Sequence, residues 1–426
     1  MSIFFLSLNS LLLTCAIYLL YSRSRDSPLK KYFFIGLVIK LLAGTAVAFI
    51  YQYYYKEGDV LYTFHQGELL RQLLLENPID FWKFPHTGTP LAGYYFGDFK
   101  DLNSRLLFFV KIIALINTLT FNNLWLTSLW FSLFSFVGFW YVANVLARLF
   151  PRSEQGIVLS FFLLPSVVFW SSGLLKESLL CGAICGSVGV FLNMHFFKRN
   201  YFQSLVFLAC LFLIWKIKYF YLAALLPILF AYSVVDFLRK KYEISLLWQV
   251  FAFFTIIFVS GFLASFIHPS LQADYFLITL TDSYYDTIKI TDADNLIFFD
   301  DFQPNLFSLF KNAPAAILGG LFEPIFWQTD TKNIFKLFAG LENLFIYAIF
   351  IFTSVKYPLL PYKQILTEKN QYFLLLLACL VYVISLSIMM TVSMPSVGTL
   401  VRYKAGFLPF WVYLLSFRLQ NIFIFR

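Results

Sequence analysis

The chain has 426 residues, of which 60% are hydrophobic and only 13% are charged, with a net charge of +9 and a mean hydropathy of +0.74. Soluble domains carry about 25% charged residues, so this composition excludes a water-soluble globule. Apolar runs of about 20 residues recur along the chain and predict membrane-spanning helices rather than a barrel. No basic stripe indicates a nucleic-acid partner. We therefore predict an all-α polytopic membrane protein that forms a single integral membrane domain over residues 1–426, in contact with membrane lipids.

Eleven apolar runs are predicted to be transmembrane helices. They are 3–21, 32–52, 123–147, 156–172, 177–196, 201–216, 219–237, 245–267, 334–355, 371–393 and 404–418. The run 3–21 has no basic region before it and no small-residue cleavage site after it, so we expect a retained span rather than a signal peptide. Lys40 lies inside the second run, where we expect it to snorkel or to pair within the bundle.

Basic residues concentrate in alternate connections between these runs. They are Arg23, Arg25, Lys30 and Lys31; Arg148 and Arg152; Lys198 and Arg199; Arg239, Lys240 and Lys241; Lys356, Lys363 and Lys369; and Arg418 with Arg426. Because basic residues mark cytoplasmic loops, the alternation predicts an outer N-terminus and an inner C-terminus. We expect a multi-pass protein of the bacterial inner (cytoplasmic) membrane.

Two long connections fall on the predicted outer side, at 53–122 and 268–333. In the first, the apolar residues of 60–75 and of 103–119 recur on one side of a helix, which predicts two amphipathic helices on the membrane surface. In the second, 305–327 is apolar enough to cross the membrane. A crossing would move the next group of lysines to the outer side. We therefore predict a helix that lies on, or re-enters from, the outer surface.

Charged residues also gather at the predicted outer ends of the spans. The carboxylates are Glu57 and Asp59, and the cations are Lys176, Lys218, Arg402 and Lys404. Charge at this depth is costly unless it is paired, faces water or meets a ligand headgroup, so such residues are candidates for function. A carboxylate can accept the proton of an attacking hydroxyl, while cations neutralise a departing phosphate. The set is therefore typical of a reaction with a phosphate leaving group.

Each of these residues also has a purely structural interpretation. Glu57 and Asp59 precede an apolar-periodic segment, where an acid commonly caps a helix. Lys176 and Glu177 could form an ion pair within a hairpin or contact lipid headgroups. Arg402 and Lys404 could snorkel to lipid phosphate.

The sequence gives little support to a metal cofactor. His65 and Glu68 have an i, i+3 spacing that could hold a metal, but no second pair accompanies them. The acidic residues of 268–333 do not follow the spacing of a calcium-binding EF-hand loop. We therefore predict no cofactor and no metal ligands, and a divalent metal would have to be demonstrated independently.

Three stretches of the chain resemble the GT-C superfamily of membrane glycosyltransferases, and more specifically the bacterial family-39-like enzymes that use polyprenyl-phosphate sugars. They are Glu57-Gly-Asp59 before Val60-Leu-Tyr62, Pro165-Ser-Val-Val-Phe-Trp-Ser-Ser-Gly-Leu-Leu-Lys-Glu-Ser178, and Arg402-Tyr-Lys-Ala-Gly-Phe-Leu-Pro409. The resemblance implies that Asp59 is the catalytic base, with Glu57 as its neighbour or substitute. It also implies that Lys176, Arg402 and Lys404 bind the carrier phosphate. The usual adjacent acidic pair is split here by Gly58, and the span 3–21 is an addition to the family's fold.

The leading hypothesis is the inverting-type transfer of a sugar from a lipid-linked donor, a polyprenyl phosphate, to a glycan, lipid or protein acceptor at the outer face. Three alternatives stay open. A polysaccharide polymerase would be expected to use arginines in a large outer loop, and 268–333 contains none. A transporter or flippase of lipid-linked precursors would be expected to have matching broken helices in two repeats, and neither is evident. The fourth alternative is a non-catalytic subunit of an envelope-assembly complex.

Overall fold

Helices form all the regular structure in the computed structural model, which describes residues 3–83, 105–197, 199–266, 272–326, 334–356 and 370–423. The β structure of these residues is limited to an isolated antiparallel bridge between Leu296 and Ser396. Eight of the described helices are long and apolar enough to cross a membrane. The prediction of an all-α chain with the helices of a multi-pass membrane protein is therefore confirmed.

The helices are numbered here in chain order. The first nine are α1 (Ile3–Arg23), α2 (Phe33–Phe49, continued by a π-helical turn at Ile50–Tyr55), α3 (Asp59–Glu76), α4 (Pro78–Lys83), α5 (Arg105–Thr120), α6 (Leu124–Leu149), α7 (Glu154–Val158, continued as a π-helix over Leu159–Leu163), α8 (Pro165–Trp170) and α9 (Lys176–Phe196). The remaining helices are α10 (Tyr201–Tyr242), α11 (Leu246–Ala264), α12 (Ala273–Ile290), α13 (Leu306–Phe322), α14 (Ile334–Lys356), α15 (Asn370–Ser393), α16 (Val397–Lys404) and α17 (Leu408–Phe423).

The eight candidate spans differ from the eleven predicted runs at three places. The runs 201–216 and 219–237 both lie in α10, which is counted once although its backbone leaves the helical region at Lys218. The run 156–172 is not one helix, because Pro165 lacks an amide hydrogen and disfavours the helical conformation of the residue before it. The run 404–418 is interrupted as well. Helix α16 ends at Lys404, and α17 starts again beside Pro409, a residue that favours the first turn of a helix.

Contacts between residues divide the chain into two compact units. The first unit comprises Met1–Leu163 and Val167–Tyr219, and the second comprises Leu164–Ser166 and Phe220–Arg426. Each unit buries its own apolar core.

In the first unit, α6 lies against both α2 and α9. Near the start of α2, Phe33 contacts Trp140 with ring centroids 5.0 Å apart, whereas Gly44, further along α2, faces Ser132. The residue numbers of these contacts increase along α2 and decrease along α6, so the two helices are antiparallel. Gly182 on α9 faces Ser135 of α6, and further contacts advance together along both helices. Helices α6 and α9 are therefore parallel.

The first part of α10 runs antiparallel to α9. Gly186 of α9 faces Cys210, and the Glu177 carboxylate at the start of α9 lies 2.8 Å from the Lys218 ammonium. Four chain positions therefore meet at one end of the first unit, which we call the Tyr55 end. It is defined by Tyr55, Leu124, Lys176 and Lys218.

The opposite end of the first unit carries basic connections. There the Trp140 indole donates to Ser24 Oγ, the Lys31 ammonium lies 3.9 Å from Glu154, and Arg148 donates to the Asn193 side chain. The charge alternation therefore agrees with the helix directions within this unit. Lys198, Lys363, Lys369 and Arg426 lie outside the described residues, and the assignment of either end to a side of the membrane stays a prediction.

Gly182 of α9 allows α6 and α9 to approach closely. A Cβ atom on Gly182 would lie 2.9 Å from the Cα atom of Ser135, so a side chain there would push against backbone. We expect Gly182→Ala to lower the free energy of unfolding by about 1–3 kcal/mol, measured by denaturant unfolding in detergent micelles. Gly261 on α11 is the matched control, because its added Cβ would meet nothing within 4 Å.

The control substitution is expected to change stability in the opposite direction. Gly261→Ala should stabilise the protein by roughly 0.5–1 kcal/mol, because it reduces the freedom of the unfolded chain without a clash. Equal effects of the two substitutions would contradict the close approach of α6 and α9.

Lys40 lies in α2 and is buried. Its ammonium donates a hydrogen bond to Ser171 Oγ and lies 4.1 Å from the centre of the Phe139 ring. The expectation that Lys40 finds partners inside the bundle agrees with these contacts. The hydrogen bond therefore connects the centre of α2 to the segment that precedes α9.

The two helices predicted in the first long connection are present as α3 and α5. They pack on each other and on α4 through one buried cluster, formed by Leu70, Leu73, Phe81, Leu107, Val110 and Ala114. Residues 84–104 between α4 and α5 lie outside the described residues. The location of α3 and α5 on a membrane surface stays a prediction.

In the second unit, α13 is the helix predicted over 305–327. It begins where the Asn305 side chain accepts a hydrogen bond from the Ser308 amide at 2.8 Å. The helix packs on α15, where Ser387 Oγ donates to the Ile317 carbonyl. Helix α12 completes this core and carries Asp274, Asp282 and Asp286, so the acidic connection is partly helical. Residues 327–333 lie outside the described residues.

Candidate functional site

The turn from α2 into α3 positions Glu57 and Asp59. Lys56 adopts a left-handed conformation with φ of 59°, and Gly58 has φ of 108°, a value that strongly favours glycine. Gly58 occupies the N-cap position, so Asp59 is the first residue of α3 and not its cap. Glu57 and Asp59 are exposed, and Asp59 lies where a negative charge is favoured by the helix dipole. The glycine that splits the acidic pair is therefore required by the turn.

Lys176 and Lys218 occupy different environments in the first unit. Lys176 is the first residue of α9 and is half-buried. Lys218 is buried, with 9% of its side chain exposed, and its ammonium lies 2.8 Å from Glu177, whose side chain is 2% exposed. The backbone of Lys218 has φ of −149° and ψ of 88°, so α10 is broken within the turn predicted at 216–218. A phosphate at Lys218 would compete with the carboxylate of Glu177.

Four of the six predicted site residues share the Tyr55 end of the first unit. Glu57 and Asp59 follow α2 directly, and Lys176 and Lys218 define that end. The segment before Lys176 also contacts α2, since Gly173 packs against Val47. The structure therefore brings two exposed carboxylates, a half-buried cation and a buried ion pair to one end of one helical group.

The other two predicted residues, Arg402 and Lys404, lie on α16 in the second unit. They are two positions apart, so their side chains leave a helix about 200° apart around its axis. Arg402 is half-buried, whereas Lys404 is 1% exposed. They do not face one ligand from the same side of α16.

Lys404 belongs to a buried network that sequence reasoning missed. Its ammonium donates to the Glu323 carbonyl oxygen and lies near the carboxylates of Glu323 and Glu342. Glu342 accepts two hydrogen bonds from Ser166, one from the amide at 2.7 Å and one from the hydroxyl. The signal that could have found it is the single acid inside the apolar run 334–355, because an ionisable residue there is a functional candidate by default.

Burial sets the protonation of this network. It lowers the pKa of Lys404 to about 7, against the opposing effect of the Glu323 and Glu342 carboxylates. Burial also raises the pKa of Glu323, while the Ile325 amide and Lys404 act in the opposite direction. Both shifts favour the neutral form of a group removed from water.

A cavity of about 410 Å³ lies along α3 in the first unit. It is lined by Tyr62, His65, Gln66, Glu68, Leu69, Gln72 and Asn122. The His65 Nδ1 atom lies 2.8 Å from a Glu68 carboxylate oxygen. Gln66 Oε1 and Asn122 Oδ1 are buried and accept no hydrogen bond from any described residue. Each such oxygen costs roughly 1–3 kcal/mol when it is left without a partner.

The described residues contain no group of three His, Cys, Asp or Glu side chains that could hold a metal ion. Comparison with protein-family models, with curated proteins and with solved structures finds no match to this chain. The resemblance to the GT-C superfamily therefore depends on the three stretches described above and stays a prediction.

Proposed function

We propose that this chain is a GT-C-type membrane glycosyltransferase. It moves a sugar from a polyprenyl-phosphate carrier to an acceptor at the outer face of a bacterial inner membrane, with Asp59 as the general base. The observation that carries the proposal is the gathering of Asp59, Glu57 and Lys176 at the Tyr55 end of the first unit. A base and a cation on one side of a membrane helix group are the groups that transfer from a lipid phosphate requires.

In the proposed reaction, the acceptor hydroxyl attacks the anomeric carbon of the sugar and its proton passes to the Asp59 carboxylate. The bond between that carbon and the phosphate oxygen breaks, and its electron pair stays with the phosphate. Lys176 neutralises the charge that grows on this leaving group. Because attack and departure take place on opposite faces, the configuration of the anomeric carbon is inverted. Lys218 holds Glu177 at the start of α9 and so positions Lys176.

Arg402 and Lys404 have different expected roles in this proposal. Arg402 is half-buried and has a guanidinium that can bind phosphate oxygens in a bidentate fork, so it stays a candidate ligand of the carrier phosphate. Lys404 is buried and donates to the Glu323 carbonyl oxygen, with Glu342 nearby, which favours a structural role.

The test of the proposal is the substitution Asp59→Asn. An amide cannot accept the proton, so we expect transfer to fall by roughly 10²- to 10⁴-fold. Envelope glycans are measured by mass spectrometry in cells that lack the protein and are complemented with either form. The matched control is Asp286→Asn, which changes an exposed acid on α12 paired with Lys289.

Membrane levels of each variant are compared by immunoblot, so that a loss of glycan is not a loss of protein. The control should restore the glycans to the wild-type amount. Near-normal transfer by Asp59→Asn at an equal protein level would remove Asp59 as the base, and Glu57→Gln would then test its neighbour.

A further inference from the structure

We infer that Arg105 of α5 and Lys216 of α10 bind the phosphate of an anionic glycerophospholipid, whose acyl chains lie along α10. The inference concerns the lipid that surrounds the first unit, and it does not depend on the proposed sugar transfer. Arg105 and Lys216 are exposed, so a lipid headgroup can reach both side chains from outside the helical group.

The two cations belong to one contact between α5 and α10. The Arg105 guanidinium carbon lies 4.4 Å from the centre of the Tyr219 ring. The Lys216 ammonium lies 5.8 Å from the centre of the Phe212 ring. Phe108, three positions after Arg105, also contacts Phe212, with ring centroids 5.8 Å apart. Positions three or four apart share one face of a helix, so Arg105 and Lys216 lie on the facing sides of α5 and α10.

This pair of cations carries a positive charge that no carboxylate of the described residues compensates. The ion pairs among those residues include neither Arg105 nor Lys216. An aromatic ring attracts a cation with its face but has no net charge of its own, so the repulsion between the cations persists. An anion that binds to both removes this repulsion. Arginine offers a bidentate fork to phosphate oxygens, and lysine adds a point charge.

The surface of α10 next to Lys216 is apolar and has the length of a lipid tail. Leu205, Leu208 and Phe212 are 64%, 61% and 52% exposed. Their spacing of three and four residues places them with Lys216 on one side of the helix. The axial rise from Leu205 to Lys216 is about 16 Å, close to one leaflet of a hydrocarbon core about 30 Å thick. One lipid can therefore place its chains on this stripe and its phosphate at Lys216.

The residue beside Lys216 agrees with a position at the headgroups. Trp215 is 39% exposed, and tryptophan is enriched where membrane helices meet the lipid headgroups. Basic residues at the same level attract anionic lipids rather than neutral ones. The combination of a cation pair, an interfacial tryptophan and an apolar stripe therefore favours an anionic phospholipid as the occupant.

Retention of added lipids by the full chain tests the inference, measured by native mass spectrometry of delipidated protein from detergent micelles. The probes are dioleoyl phosphatidylglycerol and dioleoyl phosphatidylcholine. They have the same acyl chains, but only the first has a net negative charge, because choline offsets the phosphate of the second. We expect the wild-type chain to retain phosphatidylglycerol in preference to phosphatidylcholine.

The variant Arg105→Gln/Lys216→Gln removes both cations. Each cation near an anionic lipid contributes roughly fivefold to binding, so the affinity for phosphatidylglycerol should fall roughly thirtyfold. The melting temperature of the delipidated protein should be unchanged, because both positions are exposed. The matched control is Lys31→Gln/Lys289→Gln, which lowers the net charge equally at two exposed lysines that have carboxylate partners. The control should keep the wild-type affinity.

Equal retention of the two dioleoyl lipids by the wild-type chain would overturn the inference, as would a loss in the control as large as in Arg105→Gln/Lys216→Gln. Two further probes test the occupant. Dihexanoyl phosphatidylglycerol has short chains and should bind more weakly, and binding as tight as that of the dioleoyl lipid would mean that the site takes a phosphate group alone. Tighter retention of farnesyl phosphate than of phosphatidylglycerol would assign the cations to a polyprenyl carrier and overturn the phospholipid assignment.

Discussion

Replacement of Glu177 by leucine is expected to lower the free energy of unfolding by about 3–5 kcal/mol, because it leaves the Lys218 ammonium buried without its nearest carboxylate. The two side chains are 2% and 9% exposed and their charged atoms are 2.8 Å apart. Water therefore cannot take over the role of the missing partner. The measurement is denaturant unfolding of the purified protein in detergent micelles.

The double variant Glu177→Leu/Lys218→Met should recover most of that stability, because replacing a whole buried ion pair by apolar residues is often nearly neutral. The matched control is Glu154→Leu, which removes the partner of exposed Lys31 at 3.9 Å and should cost less than about 1 kcal/mol. A loss in Glu177→Leu as small as in this control would contradict a tightly coupled pair. If the double variant is stable but inactive in transfer, Lys218 has a role beyond holding Glu177.

The second large effect is expected for Lys404→Met in the second unit. The substitution removes the donor to the Glu323 carbonyl and a basic group near the Glu342 carboxyl, so we expect a loss of about 1–3 kcal/mol. Denaturant unfolding in detergent micelles again measures it. Adding Glu342→Gln should recover part of the loss, since an amide oxygen still accepts from Ser166 while the buried charge is gone.

Lys289→Met is the matched control for Lys404→Met. Lys289 forms an ion pair with Asp286 at 3.0 Å, but both side chains are exposed, so its removal should change stability by less than about 1 kcal/mol. A similarly small loss in Lys404→Met would mean that the network around Glu342 contributes little, and Lys404 would then regain its place as a candidate phosphate ligand.

The features that depend on local sequence were predicted well. The apolar spacing of 60–75 and 103–119 predicted α3 and α5. The residues on the buried face of a helix recur every three to four positions, so the pattern can be read from the local sequence. The break in α10 at Lys218 was predicted from two lysines that interrupt an apolar run. The same reasoning placed four charged residues at one end of the first unit.

The features that depend on distant contacts were not predictable from one sequence. Ser166 and Glu342 are 176 positions apart, and the local sequence around either residue does not predict a contact with the other. The cavity likewise combines one face of α3 with Asn122, which enters only when α5 packs on α3. Pro165 is the exception, because its effect on the preceding residue is local and could have been used to divide the run 156–172.

The buried lysine of α2 has a consequence for biosynthesis. Lys40 and its hydrogen-bond acceptor Ser171 are 131 residues apart, so at 5–20 residues per second the ribosome needs roughly 7 to 26 s to add the second after the first. Throughout that interval the Lys40 amine of the nascent α2 lacks its hydrogen-bond acceptor, the Ser171 hydroxyl. The high apolarity of the surrounding segment can still drive its insertion. The hydrogen bond between Lys40 and Ser171 therefore forms only after the later helices have been synthesised.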